Sequence, residues 1–554
     1  MARAAKKEKE VSLETVLWNC RVALRGIGST EKNRDAVISL VFLKFAGDKF
    51  EKRRAELKEQ YGDIPAFLEK VSFYNADNVF YLKETARWSY IVAHASSNDI
   101  AVILDQAMKD IEETNPSLRG ALSSRDKDGN PNYTFFATLG ASNTKIKDLI
   151  DNVNQIDEKR FQEEDLIGRV YEYFLQVYAA SGTKEDGEFY TPACVVKLIA
   201  EMIEPYSGVV YDPCCGSGGM FVQSLKFVDK HNGNRNKISI LGQESNPDTW
   251  RLCKMNLAIR GIAHNLGEKN DSTFTNDLHK DKKVDFIMAN PPFNLKGWRA
   301  EDELTDDPRF KGYPAMPPVA NANYAWILHM LSKLDVNHGI AGFLLANGAL
   351  NAGDVEYSIR KEIIEKDRVE AIIVLPRDMF YTTDISVTMW IINMNKKAGV
   401  INGKKLRDRT NQVLFMDLRR WDENIEEIVI DKGKRKKKTI LTDLQIQKIK
   451  QVFDAWRSSD VSLYSDIPEF CRSVKTWSKD LTSDEKSQDV PTLEAKDFSL
   501  TPSKYIEFID HDLDIDYTAE MSRIQAEMRE VLAEEKRTQS MLEEAFRGIG
   551  YGIN

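Results

Sequence analysis

The chain has 554 residues, of which 42% are hydrophobic and 29% charged, and its formal net charge is −9. This length exceeds the ~100–200 residues of one domain, so more than one domain is expected. No apolar run approaches the ~20 residues that a membrane-spanning helix needs, and the acidic balance argues against unaided binding along DNA, because neutralising phosphates requires a basic surface.

The six cysteines are spread along the chain, and none lies at a metal-ligand spacing. We therefore predict no metal site. The basic, alanine-rich start lacks the apolar core of a signal peptide. Reduced thiols in a cytoplasmic protein fit both features. The adjacent Cys214 and Cys215 are interpreted as packing residues.

Residues 11–155 alternate amphipathic helical patterns with polar loops and contain no convincing strand pattern. This region, taken as 1–155, predicts an N-terminal all-helical domain. From about residue 160 to 397, strand patterns alternate with helical ones. That alternation predicts an α/β domain over 156–400, with a mainly parallel sheet covered by helices on both faces.

The α/β region opens with a segment that precedes a predicted helix from Ala193 to Ile203. Thr191 and Pro192 suit the N-cap and first turn of that helix. The functional interpretation is a lid that closes over the methionine end of S-adenosylmethionine. The segment consists of Glu188, Phe189, Tyr190, Thr191, Pro192 and Ala193.

A glycine-rich turn follows a strand pattern that ends at Asp212, and a helical pattern over 221–230 comes next. Glycines permit a tight strand-to-helix turn and a close approach of a ligand to the backbone, and amides at the helix start can bind a carboxylate or phosphate. Dinucleotide enzymes and ordinary βα turns share such motifs, but an acid before the glycines resembles S-adenosylmethionine sites. The turn consists of Gly216, Ser217, Gly218 and Gly219.

Two further acids follow later strand patterns. Glu244 ends the pattern of 238–243, where the second strand of a doubly wound sheet usually presents a carboxylate to ribose hydroxyls. Asp271 follows 265–270, and a strand end there would place it beside the adenine of a cofactor. Each acid alone is also typical of a solvated surface; their order along the chain favours one site.

The most informative stretch is 284–293, where an apolar strand pattern ends at Asn290. Pro291 and Pro292 then prevent further strand pairing, and Phe293 follows. Asn290 and the carbonyl of Pro291 can accept the two N–H groups of an exocyclic amino group, while Phe293 stacks on the ring that carries it. An ordinary strand-ending turn is the alternative.

The remaining chain divides into two parts. Residues 401–510 are mixed and polar, and their basic run, 432–438, suits an exposed hairpin turn or, alternatively, a phosphate contact. Residues 511–554 carry a heptad stripe, which we interpret as a partner-binding helix rather than one that packs on its own domain. The stripe contains Tyr517, Met521, Ile524, Met528 and Val531 and resumes at Leu542.

Asn290-Pro291-Pro292-Phe293 resembles the catalytic tetrapeptide of amino-methyltransferases that modify adenine N6. Together with the other motifs, it makes the chain resemble the modification (M) subunit of a type I restriction-modification DNA methyltransferase. Residues 17–26 and 41–45 are similar to that family's N-terminal helical domain. Residues 498–505 are similar to its late Leu-x-Pro-x-Arg-Tyr segment, with Lys504 in place of arginine.

The resemblance implies a Rossmann-like S-adenosylmethionine-dependent methyltransferase domain with a helical N-terminal domain and a helical C-terminal extension. Asn290, Pro291, Pro292 and Phe293 would then be catalytic, and the lid segment, Asp212, the glycine-rich turn, Glu244 and Asp271 would bind the cofactor. The methyl group would pass directly to adenine N6 of double-stranded DNA, after the base leaves the duplex. No thiolate nucleophile is needed.

Three finer expectations follow from the same resemblance. The strand pattern at 388–392 should be antiparallel at the sheet edge. Phe380 and Tyr381 are candidates for the opposite face of the target base, with core packing as the alternative for Phe380. The partners should be a separate specificity subunit, a second copy of this chain and, where the complex cleaves DNA, a restriction subunit.

Other functions stay open from the sequence alone. One is a scaffold subunit that keeps the fold without catalysis, and another is an Asn-Pro-Pro methyltransferase acting on protein glutamine or RNA. An NAD enzyme is disfavoured because nothing near Asn290 supplies hydride chemistry.

Overall fold

A computed structural model describes residues 13–125, 131–156, 170, 173, 191–380, 384–431, 434–509 and 517–548. They fall into two compact units, of which the first ends at Ile506 and the second begins at Glu507. Glu188, Phe189 and Tyr190 of the lid segment lie outside the described residues, and so do Tyr381 and Lys432.

The first unit begins with a helical region. Side-chain caps start two of its helices, because the hydroxyl of Ser29 accepts from the amide of Lys32 and that of Ser142 from Lys145. The helices bury one apolar core, and the only strands described between 13 and 156 form a two-residue ladder, β1 (Ser124–Arg125) with β2 (Pro131–Asn132). The helices are α1 (Leu13–Ala23), α2 (Thr30–Tyr61), α3 (Pro65–Leu68), α4 (Val71–Asn75), α5 (Trp88–Ala93), α6 (Ile100–Thr114) and α7 (Asn143–Val153).

A nine-stranded mixed sheet forms the centre of the same unit, with the strand order β15-β12-β8-β9-β7-β6-β3-β4-β5. Five strands that are adjacent in this order, β7, β6, β3, β4 and β5, are parallel to one another. The strands are β3 (Gly208–Asp212), β4 (Ile238–Gly242), β5 (His264–Asn265), β6 (Phe286–Ala289), β7 (Ile340–Ala346), β8 (Val369–Val374), β9 (Val387–Asn393), β12 (Gln412–Asp417) and β15 (Cys471–Lys475).

Helices cover both faces of this sheet, as predicted. Successive strand residues point to opposite faces, so Val210 joins one core and Tyr211 the other. The first core includes α8 (Ala193–Ile203), α9 (Gly219–Lys230) and α13 (Asp443–Arg457), and the second includes α11 (Asn323–Lys333) and α12 (Asp354–Glu365).

Helix α10 (Pro247–Ile259) is shared between two cores. Trp250, Cys253 and Leu257 pack in the first core of the sheet. Leu252 and Met255, on the other side of the helix, pack in the core of the N-terminal helices. The helical region is thereby joined to the α/β region through a buried apolar contact.

Strand β9 pairs antiparallel with β7 and with β8. Its antiparallel direction confirms the prediction for residues 388–392, but the predicted edge position is wrong. All residues of β9 are buried between its two neighbours, and the edges of the sheet are β5 and β15.

Residues beyond 400 extend the sheet through β12 and β15. Charged side chains also tie this part to α8: Glu204, at its end, accepts from Lys404 at 2.6 Å and lies 2.9 Å from the ammonium of Lys450 on α13. Two antiparallel pairs complete the part: β10 (Gly399–Ile401) with β11 (Lys404–Leu406), and β13 (Ile425–Asp431) with β14 (Lys434–Thr439).

Strand β14 contains residues 434–438 of the basic run and pairs antiparallel with β13, which agrees with a hairpin, whereas the predicted turn at 432–433 lies outside the described residues. Lys438 is nonetheless buried, since its ammonium donates to the carbonyl of Phe380 and lies 3.1 Å from the carboxylate of Asp384. Lys437, its neighbour, is exposed. A short helix, α14 (Ser483–Ser487), follows later in this part.

The second unit contains one long helix, α15 (Tyr517–Gly548). Its predicted stripe is solvent-exposed from Met521 onward, with Met528 at 62% and Val531 at 66% exposure. None of the described helices has the length and apolar character needed to span a membrane.

Candidate active site

The order in which successive strands are added across the sheet reverses between β3 and β6, although the two strands are parallel. From β3 the chain continues to β4 and β5 on one side, and it then returns to β6 on the other side of β3. Such a switch point leaves a crevice outside the carboxyl ends of the strands, where doubly wound proteins bind ligands. A cavity of about 450 Å³ lies there, and its lining includes Thr191, Asp212, Gly216, Glu244 and Asn290. With Ser217, Gly219 and Pro292, which also line the cavity, the structure brings eight of the predicted site residues together.

The glycine-rich turn connects β3 to α9. Asp212, the last residue of β3, accepts from the amide of Cys214 at 3.0 Å. Gly218 occupies the N-cap position of α9 with φ of 83°, a left-handed conformation that favours glycine. A Cβ on Gly218 would lie 2.9 Å from the sulfur of Cys253. The absence of a side chain at Gly218 therefore allows the turn to pack closely on α10. Gly218 itself does not line the cavity.

Asp212 has a perturbed acidity. Burial raises the pKa of its carboxyl to about 7, and the charge of Glu244 adds to this effect, against the hydrogen bonds from Cys214. A carboxyl that is half-ionised near neutral pH gains from a cation placed beside it. The cavity wall at β3 therefore favours a positively charged ligand.

Glu244 lies just beyond the end of β4. One carboxylate oxygen accepts from the amide of Gly216 at 3.0 Å, and the other accepts from the amide of Asn246 at 2.9 Å. Asn246 in turn caps α10 by accepting from the amides of Asp248 and Thr249. The carboxylate is thus oriented by the turn on one side and by a helix start on the other.

Asp271 lies apart from the cavity lining. The strand that was expected to end at this residue is β5, His264–Asn265, so Asp271 follows in a loop. Its carboxylate accepts from Asn276 at 2.6 Å and lies 3.2 Å from the ammonium of Lys269. The adjacent Ser272 lines the cavity instead.

Asn290 is oriented by Thr191. The side-chain NH₂ of Asn290 donates to the hydroxyl oxygen of Thr191 at 2.9 Å. Its Oδ1 is buried and has no hydrogen-bond partner, an arrangement that normally costs free energy. The N-cap prediction for Thr191 is wrong, because Pro192 holds that position and no side chain caps the helix. Ala193 starts α8, as predicted, and is exposed.

The residues after Asn290 have different surroundings. Pro291 is buried, and Pro292 is half-buried and lines the cavity. The half-buried ring of Phe293 packs against the first core of the sheet and does not line the cavity. Phe380 is 1% exposed within the same core, which agrees with the packing alternative for that residue.

Two family models match the chain. The model described as N-6 DNA Methylase matches residues 162–512, and the HsdM N-terminal domain matches residues 13–166. The chain belongs to the N-6 DNA methylases. It carries that family's domain over more than half of its length, preceded by the helical domain of type I methylase subunits.

Similar proteins narrow the family to type I systems. The Type I restriction enzyme HindI methylase subunit of Haemophilus influenzae is 37% identical over 82% of this chain and 93% of its own length. The MjaIX methylase subunit of Methanocaldococcus jannaschii is 32% identical over 97% of this chain and 91% of its own length. This N-6 DNA methylase is therefore a type I modification subunit, and the activity of that family is adenine-specific DNA methylation.

A solved structure supports the same fold. The crystal structure of the type I restriction-modification methyltransferase subunit of Streptococcus thermophilus aligns with a TM-score of 0.66 and 23% identity. It covers 89% of this chain and 99% of the other. The predicted fold class, a Rossmann-like methyltransferase domain with helical additions, is confirmed.

The sequence did not predict the aromatic wall of the methylase cavity. Phe274 contacts the rings of Trp298 and Trp326, with centroid distances of 4.6 and 4.2 Å. All three residues line the cavity. Trp298 lies five positions after Phe293, a proximity that could have indicated it, but Trp326 lies within an ordinary apolar helix pattern.

The wall also carries a polar group. The indole N–H of Trp298 donates to the carbonyl of Pro318 at 2.9 Å, whereas the N–H of Trp326 is buried without a partner. Because an indole nitrogen only donates, Trp326 is suited to an acceptor on a bound ligand.

Proposed function

We propose that this chain transfers a methyl group from S-adenosylmethionine to N6 of an adenine in double-stranded DNA, with its target sequence selected by a separate specificity subunit. The observation that carries the proposal is the buried, unpartnered Oδ1 of Asn290 in the cavity. That oxygen is an acceptor at a strand end, with its amide held in one orientation by Thr191.

The lining of the cavity on the β3 and β4 side fits the cofactor. Glu244 offers a carboxylate to ribose hydroxyls, and a positively charged ligand would stabilise the ionised form of Asp212. When bound, S-adenosylmethionine would supply an electrophilic methyl group on a positively charged sulfur. The glycine-rich turn, Ser272 and the aromatic wall complete a surface that suits its nucleoside part.

Asn290 and Pro291 would act on the target amino group. The Oδ1 of Asn290 and the carbonyl of Pro291 accept the two N–H bonds of adenine N6, so the lone pair of that nitrogen turns toward the methyl group. As the N–C bond forms, the bond between that carbon and the donor sulfur would break, with its electron pair kept by sulfur and S-adenosylhomocysteine as the product. The nitrogen gains positive charge that the two oxygens stabilise, and one N6 proton then leaves for solvent. We assign the stacking of the extruded base to the exposed part of the Phe293 ring, which places the base beside the cavity lining described above.

The cysteines in the cavity wall have no part in this reaction. Burial, with the neighbouring charge of Asp212, raises the pKa of the Cys214 thiol well above its usual value. The thiol therefore stays protonated and is a poor nucleophile. Direct transfer to an exocyclic nitrogen is the chemistry that such a site supports.

Partners are proposed from charge and exposure. A chain with a net charge of −9 needs another polypeptide to bind DNA at a defined sequence. In α15, the stripe of Met521, Ile524, Met528 and Val531 is 38–66% exposed. We assign it to the contact with the specificity subunit, in a complex that holds two copies of this chain and to which a restriction subunit can be added.

A methylation assay tests the reaction. The complex copurified from the native host should form N6-methyladenine in duplex DNA from a host that lacks the modification. RNA and protein offered under the same conditions should stay unmodified. Methylation of either in place of DNA would refute the proposal. Calorimetry with S-adenosylmethionine checks the cofactor separately, since a scaffold subunit would bind none.

Paired substitutions test the partner contact. Ile524→Asp with Val531→Asp should prevent coassembly, because the contact between the stripe and the specificity subunit would bury unpaired charges. Ala526→Asp with Ala533→Asp places the same charges at the same spacing on the opposite face of α15, and we expect coassembly to persist. Size-exclusion chromatography distinguishes the two, and an intact complex with the first pair would refute the assignment. Truncation after residue 512 should likewise leave a chain that binds cofactor without assembling.

A further inference from the structure

A long loop follows the Asn-Pro-Pro-Phe turn and returns to the start of α11. This target loop, residues 294–322, contains no described helix or strand. Its ends are joined, because the amide of Asn294 donates to Oδ1 of Asn323 at 3.0 Å and Nδ2 of Asn323 donates back at 2.8 Å. Its first part lines the cavity with Leu295, Lys296, Gly297 and Trp298.

Arg309 connects the middle of the target loop to the opposite wall. Its guanidinium donates to the carbonyls of Thr273 and Phe274, the first at 2.8 Å. Both residues belong to the cofactor segment, residues 272–274, which lines the cavity beside Glu244. The hydroxyl of Thr273 donates to the carbonyl of Pro213, next to the glycine-rich turn. Arg309 therefore provides the hydrogen-bonded link between the target loop and the cofactor segment, beside the ring contact of Phe274 with Trp298.

The guanidinium is fixed by two further partners. The carboxylate of Asp307 accepts from it at 2.9 and 2.6 Å. Burial alone would raise the pKa of Asp307, but the hydrogen bonds and charge of Arg309 hold that pKa below its usual range. The third side of the guanidinium faces Nδ1 of His329 on α11 at 3.2 Å.

His329 extends this arrangement to the sheet. Since Arg309 can only donate, Nδ1 of His329 accepts and its proton resides on Nε2, which lies 3.1 Å from the hydroxyl of Tyr211 on β3. Burial and the charge of Arg309 lower the pKa of His329 well below its usual value, so the ring is neutral. Asp307 and His329 thus hold the Arg309 guanidinium in one orientation.

Arg299 offers an internal comparison. Its guanidinium donates to the carbonyls of Ala300, Glu301 and Pro317, all within the target loop. It donates to no carbonyl of the cofactor segment in the described hydrogen bonds. Arg299 therefore stabilises the loop itself, whereas Arg309 links the loop to the opposite wall.

We propose that Arg309 is a positioning residue that couples cofactor binding to target-base binding, an inference that rests on the proposed function. Cofactor contacts order the cofactor segment, and the guanidinium transmits that order to the target loop, which forms the base side of the cavity. Linkage then requires the reverse effect, with bound DNA tightening the cofactor by the same factor.

The test measures that factor directly. It uses the full chain in complex with its specificity subunit, S-adenosylhomocysteine as the unreactive cofactor, and a duplex carrying the sequence that the complex methylates. The Kd of S-adenosylhomocysteine is measured with this duplex and with one that lacks the sequence. For the wild type we expect a ratio of at least ~5, within the range typical of coupled sites.

Substitutions distinguish the loss of the contact between Arg309 and the cofactor segment from a general destabilisation of the target loop. Arg309→Met should bring the ratio close to 1, while Arg299→Met should keep it, even if both lower turnover. Asp307→Asn keeps the arginine but loosens it, and the ratio should fall between; this variant decides the matter if Arg309→Met does not fold. An unchanged ratio in Arg309→Met, an equal loss in Arg299→Met, or a wild-type ratio of 1 would overturn the proposal. A wild type that binds no cofactor or methylates no DNA would instead refute the proposed function.

Discussion

Neighbouring strand ends in the same sheet present their polar groups in two opposite ways. At the ends of β3 and β4, the carboxylates of Asp212 and Glu244 accept hydrogen bonds from backbone amides of the glycine-rich turn and of the residue that caps α10. At the end of β6, the Oδ1 of Asn290 is buried without a partner. The two carboxylates on the cofactor side are already hydrogen-bonded in the free protein, whereas the Asn290 oxygen on the target side lacks a donor.

This difference has a physical reason. A carboxylate can accept several hydrogen bonds, so Glu244 can be oriented by the backbone and still contact a ligand. An amide oxygen that must accept the N–H of a substrate at a defined angle is better left unpaired, with its orientation set through the NH₂ group. The unpaired oxygen costs stability, which the substrate restores on binding.

The largest expected effect is at the target side. Asn290→Ala should abolish detectable methylation, since removing one group that stabilises transition-state charge commonly costs about 10²–10³-fold in kcat. The affinity for S-adenosylmethionine, measured by titration calorimetry, should stay within a few-fold of wild type. Turnover at the wild-type rate would remove Asn290 from the mechanism.

On the cofactor side, Glu244→Ala should weaken S-adenosylmethionine binding by about 10- to 150-fold, because hydrogen bonds to charged groups contribute about 1.5–3 kcal/mol. Asp271→Asn is the matched control, as this carboxylate faces Lys269 and Asn276 outside the cavity lining. Its cofactor affinity should be close to wild type. If the two variants lost affinity equally, the cofactor would extend beyond the cavity toward Asp271.

A pH titration sharpens the comparison further. Because burial raises the pKa of Asp212 to about 7, its carboxyl gains negative charge as pH rises from 6 to 8. Affinity for the cationic cofactor should therefore increase over that interval, by up to roughly tenfold if only the ionised form binds. In Asp212→Asn, this rise of cofactor affinity with pH should vanish. A wild-type affinity that falls with rising pH would contradict the assignment.

The smallest effect is expected at Thr191. Thr191→Val removes the acceptor for Nδ2 of Asn290, and kcat should fall by ~2- to 10-fold, the range of one net hydrogen bond. Thr191→Ser keeps the hydroxyl and should restore the rate. Because the cofactor wall is complete without Thr191, KM for S-adenosylmethionine should change little in both variants.

Much of the fold was predictable from local patterns. The helix from Ala193 to Ile203 has the predicted bounds. The interior position of β9 was not predictable, because a strand buried on both faces has the same apolar pattern at an edge of a covered sheet as within it.

The site followed from sequence to a similar extent. Asp212, Glu244 and Asn290 meet because the carboxyl ends of parallel strands share one edge of the sheet. The role of Thr191 did not follow, since its contact with Asn290 joins residues distant in sequence, and a threonine before a proline equally suits a helix cap. Trp326 was missed because an apolar residue in a helix gives no sign of which core or cavity it faces.

Helix α10, which packs on both the N-terminal helices and the sheet, has a consequence for unfolding. Neither region can lose its structure without exposing one apolar side of this helix, so the two family domains should melt in a single cooperative calorimetric transition. A fragment that begins after residue 166 would present Leu252, Met255 and Ile259 to water. Such a fragment should aggregate on expression, although it contains every strand of the catalytic sheet.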